Sequence, residues 1–381
     1  MIKILFFIDS ISGGGAEKVL RNLVNNMDQK KFDITVQTFN DPTGQKLLKE
    51  GIHFKTINRF RNSTLNKVYQ YWLRLCAELK ILYPLYIKAD YDIEVAYLEC
   101  GPTKIISSST NKNAVKIAWV HCDLEKKEDF ISSISKTEKY YKKFDKVVCV
   151  SQNVKESFEK LFGKTPESIV LYNVNEEKKI IEKAKEPLAI KRKHTGQLFV
   201  AVGRLTWQKG FDRLIESCRW LSDDGYDFEL WILGEGPERK NLEEMAHKYQ
   251  LSDRITFCGF VLNPYPCIEQ ADILVCSSRY EGLSTVITEG LILGKAIVTT
   301  ACTGMKELLG DSEYGLITED NEEGLYKGIK KILDSPEARC DFEERAKQKG
   351  SVFKVHSTVE AIEKFFEHAL LYKENLETKH D

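Results

Sequence analysis

No stretch of this sequence approaches the roughly 18 consecutive apolar residues that a membrane-spanning helix needs. The apolar opening, residues 2–8, is too short for a secretory leader and ends without a small-residue cleavage site. A cytosolic protein is therefore expected. None of the ten cysteines forms a CxxC pair, and several lie inside apolar runs such as DILVCSS (272–278). That is the pattern of buried, reduced thiols rather than of a disulfide framework or zinc site. With 23 glycines and 9 prolines the chain is neither collagen-like nor of low complexity. No GxxxxGKS/T loop occurs, which argues against P-loop hydrolases. The formal charge of -1 argues against a dedicated nucleic-acid binder, which is usually more basic.

What is present is enough for two cores. The 381 residues are 42% hydrophobic and 30% charged, and at about 150 residues per domain they divide into two domains with a terminal extension. The balanced charge hides a split. Residues 1–175 hold 27 Lys/Arg against 20 Asp/Glu, and the remainder holds 29 against 37. A basic half suits an anionic neighbour such as a membrane surface, although solubility tolerates such a split equally well.

Short β-rich runs alternate with amphipathic stretches. IKILFFI (2–8) leads into Gly13-Gly14-Gly15 and then AEKVLRNLVNNM, whose apolar residues recur at helical spacing. DITVQTF, DIEVAYL, KIAWVH and KVVCVS continue a parallel sheet covered on both faces. Residues 173–197 are charged, without a strand, and read as a linker with a short helix. A second series follows with LFVAVGR, FELWILGEG, RITFCGFV, DILVCSS and AIVTTAC. The expectation is two doubly wound Rossmann-like α/β domains, 1–173 and 174–355, with a cleft between them and ligands at the carboxyl ends of strands. A C-terminal helix, within 356–381, closes the chain. Residues 59–91 stand apart, mixing Tyr, Trp and Leu with Arg59, Arg61, Lys67, Arg74, Lys80 and Lys88. They suit an interfacial membrane contact, and equally a helix pair with a solvated basic face.

Three motifs carry chemistry. GGGAEKV (13–19) follows the first strand and lets backbone amides at a helix start approach a ligand. It is not a GxGxxG fingerprint, since Lys18 stands where the third glycine would be, and a packing role fits it as well. In GRLTWQKG (203–210), Arg204 and Lys209 converge at a strand end and suit a diphosphate, one as a fork and one as a point charge. In EGLSTVITEG (281–290), Glu281 belongs to a loop and the helix begins near Ser284. The amides of Leu283, Ser284 and Thr285 then form an anion site, and Glu289 points back toward it. Glu289 suits a ribose diol and Glu281 suits sugar hydroxyls. No Asp-x-Asp follows a strand; Asp90 and Asp92 precede one and read as a turn. No metal site is assigned.

GRLTWQKG, GEGPER (234–239), and Glu281 and Glu289 with seven residues between them resemble the retaining two-domain (GT-B) glycosyltransferases of family 4, the group 1 enzymes of bacterial capsules, O-antigens and cell-wall glycans. GGGAEKV and ACTGMKELL (301–309) fit the same pattern, so the resemblance spans the chain and is densest over 198–317. It implies that Arg204, Lys209 and the Leu283–Thr285 amides bind the donor diphosphate, that Glu289 holds the ribose, and that Glu281 meets the transferred sugar. It further implies that Gly234, Gly259, Phe260 and Val261 frame the base and that Gly14 and Gly15 close over the phosphates. His121, in AWVHCDL, matches the family's active-site histidine near the reaction centre. Glu99, in YLECGPT, faces the presumed acceptor side. One departure concerns Leu283-Ser284-Thr285, where the family often has Phe-Gly or Leu-Pro; this leaves the sugar open.

The resemblance thus implies a metal-independent, cofactor-free retaining hexosyltransferase at the inner face of the plasma membrane. It would move a hexose or N-acetylhexosamine from a nucleotide sugar, expected to be a UDP-sugar, to a lipid-linked saccharide or related oligosaccharide acceptor. The departing phosphate would itself take the acceptor's proton. The rivals are a non-catalytic scaffold of the same fold and a sugar-nucleotide epimerase; a nicotinamide oxidoreductase is weakest, because its fingerprint is absent.

Overall fold

The computed structural model describes residues 1–58, 63–88, 90–126, 134–164, 166–188 and 190–377. Arg59 and Arg61 lie outside the described residues. The chain forms two compact units, Met1–Val174 with Val355–Asp381, and Asn175–Lys354.

The strands of the first unit are Ile2–Ile8 (β1), Phe32–Thr38 (β2), His53–Thr56 (β3), Ile93–Ala96 (β4), Val115–Val120 (β5), Lys146–Cys149 (β6) and Glu167–Val170 (β7). They form one parallel sheet in the order β3-β2-β1-β4-β5-β6-β7. The order reverses between β1 and β4, which is where ligands gather in open α/β sheets. Residues Ile4 to Ile8 of β1 are fully buried, as a central strand covered by helices on both faces requires. The long C-terminal helix, Val355–Glu377, belongs to this unit. Its Phe366 is fully buried, 5.9 Å from the Phe6 ring and 6.4 Å from both the Phe32 and Trp119 rings. Burial of such a ring contributes about 1.5–3 kcal/mol. Glu363 accepts a hydrogen bond from the Asp28 amide at 2.6 Å, and Lys31 pairs with Glu367 at 2.9 Å.

The second unit repeats the plan with Gln197–Val202 (β8), Phe228–Leu233 (β9), Ile255–Gly259 (β10), Ile273–Cys276 (β11), Ile297–Thr300 (β12) and Leu316–Thr318 (β13). All are parallel in the order β10-β9-β8-β11-β12-β13, with the reversal between β8 and β11. Phe199 and Phe228 stack at 5.2 Å in the core. The charged stretch before β8 is not a loose tether. Its helix Glu177–Ala184 packs on the helices Tyr265–Gln270 and Thr285–Ile292. Further on, the buried Glu229 carboxylate of β9 accepts from the backbone amides of Lys193 at 2.7 Å and His194 at 3.1 Å, and from the Trp231 indole at 2.6 Å. Burial pushes the Glu229 carboxyl up, but these donors outweigh it and hold the pKa below the ordinary value.

Candidate functional site

In the second unit the predicted donor residues gather at the carboxyl ends of the strands. The chain leaves β8 through Gly203, Arg204 and Leu205 and makes a short 3-10 turn, Trp207–Lys209, before the helix Phe211–Asp223. Gly210 joins turn and helix in the left-handed region, φ 63°, and a Cβ there would lie 2.1 Å from the Ser277 carbonyl. Only glycine permits that approach. The turn therefore lies directly against the loop that follows β11, at the reversal of strand order.

Lys209 crosses this seam. Its ammonium sits 2.6 Å from Glu281 Oε1, with side chains 22% and 9% exposed. Ser278 donates to the same oxygen at 2.7 Å. Glu281 Oε2 has no protein partner among the described residues. Burial works to push the Lys209 ammonium pKa down, but the adjacent Glu281 carboxylate outweighs it, and the value ends above the ordinary lysine pKa. Lys209 is thus a fixed cation. Arg204, in contrast, is exposed and has no ion-pair partner among the described residues.

The seam is latched by residues that sequence reasoning missed. Arg279 forks onto Asp212 at 2.9 and 2.6 Å, donates to the Trp207 carbonyl at 2.6 Å and lies 4.5 Å above the Trp207 ring. Gln208 donates to the Tyr280 carbonyl at 2.9 Å, and Ser277 donates to the Lys209 carbonyl at 2.9 Å. Burial pushes the Asp212 carboxyl up, yet Arg279 brings it below the ordinary value. The signal available in sequence was slight: a lone arginine two residues before Glu281, and an acid in the first turn of the following helix.

Ser284 caps the helix Thr285–Ile292, its hydroxyl accepting from the Ile287 amide at 3.4 Å. Leu283, Ser284 and Thr285 therefore stand at the helix start, and Glu289 lies buried in its second turn. Gly234, φ 146°, brings the GEGPER loop onto the Gly203 carbonyl, where an added Cβ would lie 1.9 Å away. Gly234 also donates to the Gly259 carbonyl at 2.8 Å, tying the β9 loop to the segment Gly259, Phe260, Val261. Phe260 is 65% exposed.

The first unit brings its own predicted residues to the carboxyl edge of its sheet. Gly14 caps the helix Gly15–Asn26 that follows β1. The loop before it is organised by Asp41, which accepts from the Ser10 hydroxyl at 3.0 Å, the Ile11 amide at 3.0 Å and the Ser12 hydroxyl at 2.7 Å. Burial raises the Asp41 carboxyl, and these donors more than reverse it, leaving the pKa below the ordinary value. Glu99 lies past β4 and His121 at the end of β5. The buried Glu99 carboxylate accepts from the His121 amide and, at 3.1 Å, from the Cys122 amide. It thus shapes the histidine's loop, a tie that the sequence did not reveal. The His121 ring lies 4.9 Å from the Tyr97 ring, and its buried Nε2 has no hydrogen-bond partner among the described residues. Burial depresses the imidazole to about 4, against an opposing pull from Glu99. At neutral pH His121 is an uncharged donor or acceptor.

Among the described residues no group of three His, Cys, Asp or Glu side chains is placed to share a metal ion, and no helix is long and apolar enough to cross a membrane.

The fold matches that of the Anabaena protein HepE in complex with UDP and glucose, at a TM-score of 0.77 and 19% identity over 97% of this chain and 100% of that one. Two units of this kind define the GT-B architecture of glycosyltransferases. By sequence the chain is 27% identical to the N-acetylgalactosamine-N,N'-diacetylbacillosaminyl-diphospho-undecaprenol 4-alpha-N-acetylgalactosaminyltransferase of Campylobacter jejuni, over 93% of this chain and 96% of the relative. It is 26% identical to the lipopolysaccharide core biosynthesis glycosyltransferase LpsE of Rhizobium meliloti, over 87% and 89%. Residues 182–349 match the family described as glycosyl transferases group 1. The chain is a glycosyltransferase, and the group 1 match falls within its second unit.

Proposed function

We propose that this chain is a retaining, metal-independent hexosyltransferase that moves a hexose or N-acetylhexosamine from a UDP-sugar to a lipid-linked saccharide or another surface-glycan acceptor met at a membrane. The observation that carries the donor half is the Lys209–Glu281 pair, held 2.6 Å apart at the reversal of strand order. Departure of a nucleoside diphosphate places negative charge on its terminal phosphate. Lys209, the unpaired Arg204 and the amides at Leu283–Thr285 supply fixed positive charge for it. Glu281 Oε2 remains to accept from hydroxyls of the sugar, and Glu289 takes the ribose diol. Gly234, Gly259, Phe260 and Val261 frame the base, and the first unit receives the acceptor. The Campylobacter relative is named for an undecaprenol-diphosphate-linked acceptor, and HepE was solved with UDP and glucose; both support the choice of substrates.

Calorimetric titration with UDP and GDP, in buffer containing a chelator, tests this. UDP binds the wild type, and Glu289→Gln weakens binding about 10–150-fold, the equivalent of one charge-assisted hydrogen bond at about 1.5–3 kcal/mol. GDP binding in place of UDP would replace the donor. Binding of neither nucleotide by folded protein would overturn glycosyl transfer.

A further inference from the structure

Two successive serines beyond β11 grip the two halves of the Lys209–Glu281 pair. Ser277 holds the lysine by its backbone carbonyl. Ser278, only 2% exposed, holds the glutamate, donating its hydroxyl to Oε1 at 2.7 Å. Ser278 is itself held twice. Its carbonyl accepts from the hydroxyl of the fully buried Thr300, at the end of β12, at 2.6 Å. Its hydroxyl oxygen accepts from the thiol of buried Cys276, at the end of β11, at 3.5 Å. Burial and then the Glu281 charge push the Cys276 thiol pKa up, so the sulfur keeps its proton and stands as the donor.

The hydrogen bonds therefore run in one direction, from Cys276 Sγ–H to the Ser278 hydroxyl and on to Glu281 Oε1, which also receives the Lys209 ammonium at 2.6 Å. An ammonium alone would not fix this carboxylate. The terminal torsion of a glutamate is broad and two-fold, and a lysine is a point charge that either oxygen can satisfy. A second, directional donor on the same oxygen removes that freedom. Oε1 is committed to the protein, and Oε2 has no protein partner among the described residues. An ionised carboxylate only accepts, so Oε2 requires a hydroxyl or amide donor from what it meets.

We infer that Ser278, backed by Cys276 and Thr300, is a positioning residue that decides which oxygen of Glu281 meets the transferred sugar, and so how strongly the site prefers a nucleotide sugar over the bare nucleotide. It acts through Glu281 and touches no substrate itself. The inference deepens the proposed donor reading and rests on it.

Calorimetric titration of the full chain with UDP, UDP-glucose, UDP-galactose and the two corresponding UDP-N-acetylhexosamines tests it, read as the ratio of sugar-nucleotide affinity to UDP affinity. Ser278→Ala binds UDP as the wild type does, because Arg204, Lys209 and the amides at Leu283–Thr285 are untouched. It lowers the ratio for the preferred UDP-sugar about tenfold, the low end for one hydrogen bond to a charged group. Cys276→Ala lowers the ratio about two- to threefold, a thiol being a weak donor. Added to Ser278→Ala it lowers the ratio no further, because the chain of bonds is already broken. A Ser278→Ala ratio equal to that of the wild type, or equal losses for UDP and UDP-sugar, overturns the inference, since the serine then only stabilises its loop. Independent losses from the two substitutions overturn the role of Cys276. A wild type that binds UDP but none of the four UDP-sugars overturns the inference and leaves the nucleotide site standing, whereas one that binds no UDP fails the proposed function itself.

Discussion

Replacing Lys209 by methionine separates the stability of the donor site from its function. The ammonium is the principal partner of a carboxylate that is only 9% exposed, and its loss leaves Glu281 Oε1 with the Ser278 hydroxyl alone. Breaking a buried pair costs about 3–5 kcal/mol. Here the lysine side chain is 22% exposed and Ser278 remains, so about 2–3 kcal/mol is expected. At about 2–4 °C per kcal/mol for a unit of this length, the unfolding transition of the second unit falls by roughly 4–12 °C. Adding Glu281→Gln removes the stranded charge, and the amide can still accept from Ser278. The double variant therefore returns to within about 1 kcal/mol of wild type. UDP binding does not return, because the charge-assisted bond to phosphate is missing in both variants, at a loss of about 10–150-fold. Thermal unfolding followed by circular dichroism, with calorimetric UDP titration beside it, reads both effects. A Lys209→Met transition equal to wild type, or a double variant no more stable than the single, would refute the reasoning.

Two further outcomes follow from the site. His121 has a folded pKa of about 4 against an ordinary 6.5, so between those values the unfolded chain binds more protons. Stability must fall as pH drops through that window, by up to about 3 kcal/mol at its lower end. His121→Gln should flatten the dependence in thermal melts across that range; an unchanged slope would show that His121 is not its source. Arg279→Lys keeps the charge but loses the fork onto Asp212 and the stacking on Trp207. It should weaken UDP binding about 3–10-fold through Lys209, and Asp212→Asn added to it should cost little more, since the two act as one unit. Additive losses in titration would show that they act separately.

The parts legible in the sequence were those with local causes. β1, β2 and the central strands of both sheets announce themselves as apolar runs, because a strand buried on both faces admits little else. β3 (HFKT), β7 (ESIV) and β13 (LIT) escaped notice. They are three or four residues long, pair at sheet edges and leave most of their positions exposed or half-buried, so no continuous apolar run marks them. In the site, Lys209 and Glu281 were visible through the glycines around them, each assigned its own substrate contact. Their contact with one another was not, and neither was the latch of Arg279 on Asp212, which joins positions 67 residues apart. Pairings of that kind leave no periodicity; they exist only once β8 and β11 lie side by side. The same holds for Glu99, whose carboxylate is spent on the loop of His121.

The loops that carry the proposed donor residues are set by backbone contact before any side chain acts. Gly210 rests on the Ser277 carbonyl and Gly234 on the Gly203 carbonyl, distances that exclude a side chain at either position. Loops held in such backbone contact place the charges they carry in advance, which is the condition for electrostatic stabilisation without reorganisation. Lys209 meets that condition by being neutralised beforehand. Under the proposed function, an arriving diphosphate would share its ammonium with Glu281 rather than capture a free cation, while exposed Arg204 would supply the unpaired charge. Binding of the ground-state donor would thereby be moderated at Lys209. On that reading the interaction would strengthen as the leaving phosphate gains charge, so the pair would favour the departing diphosphate over the intact donor.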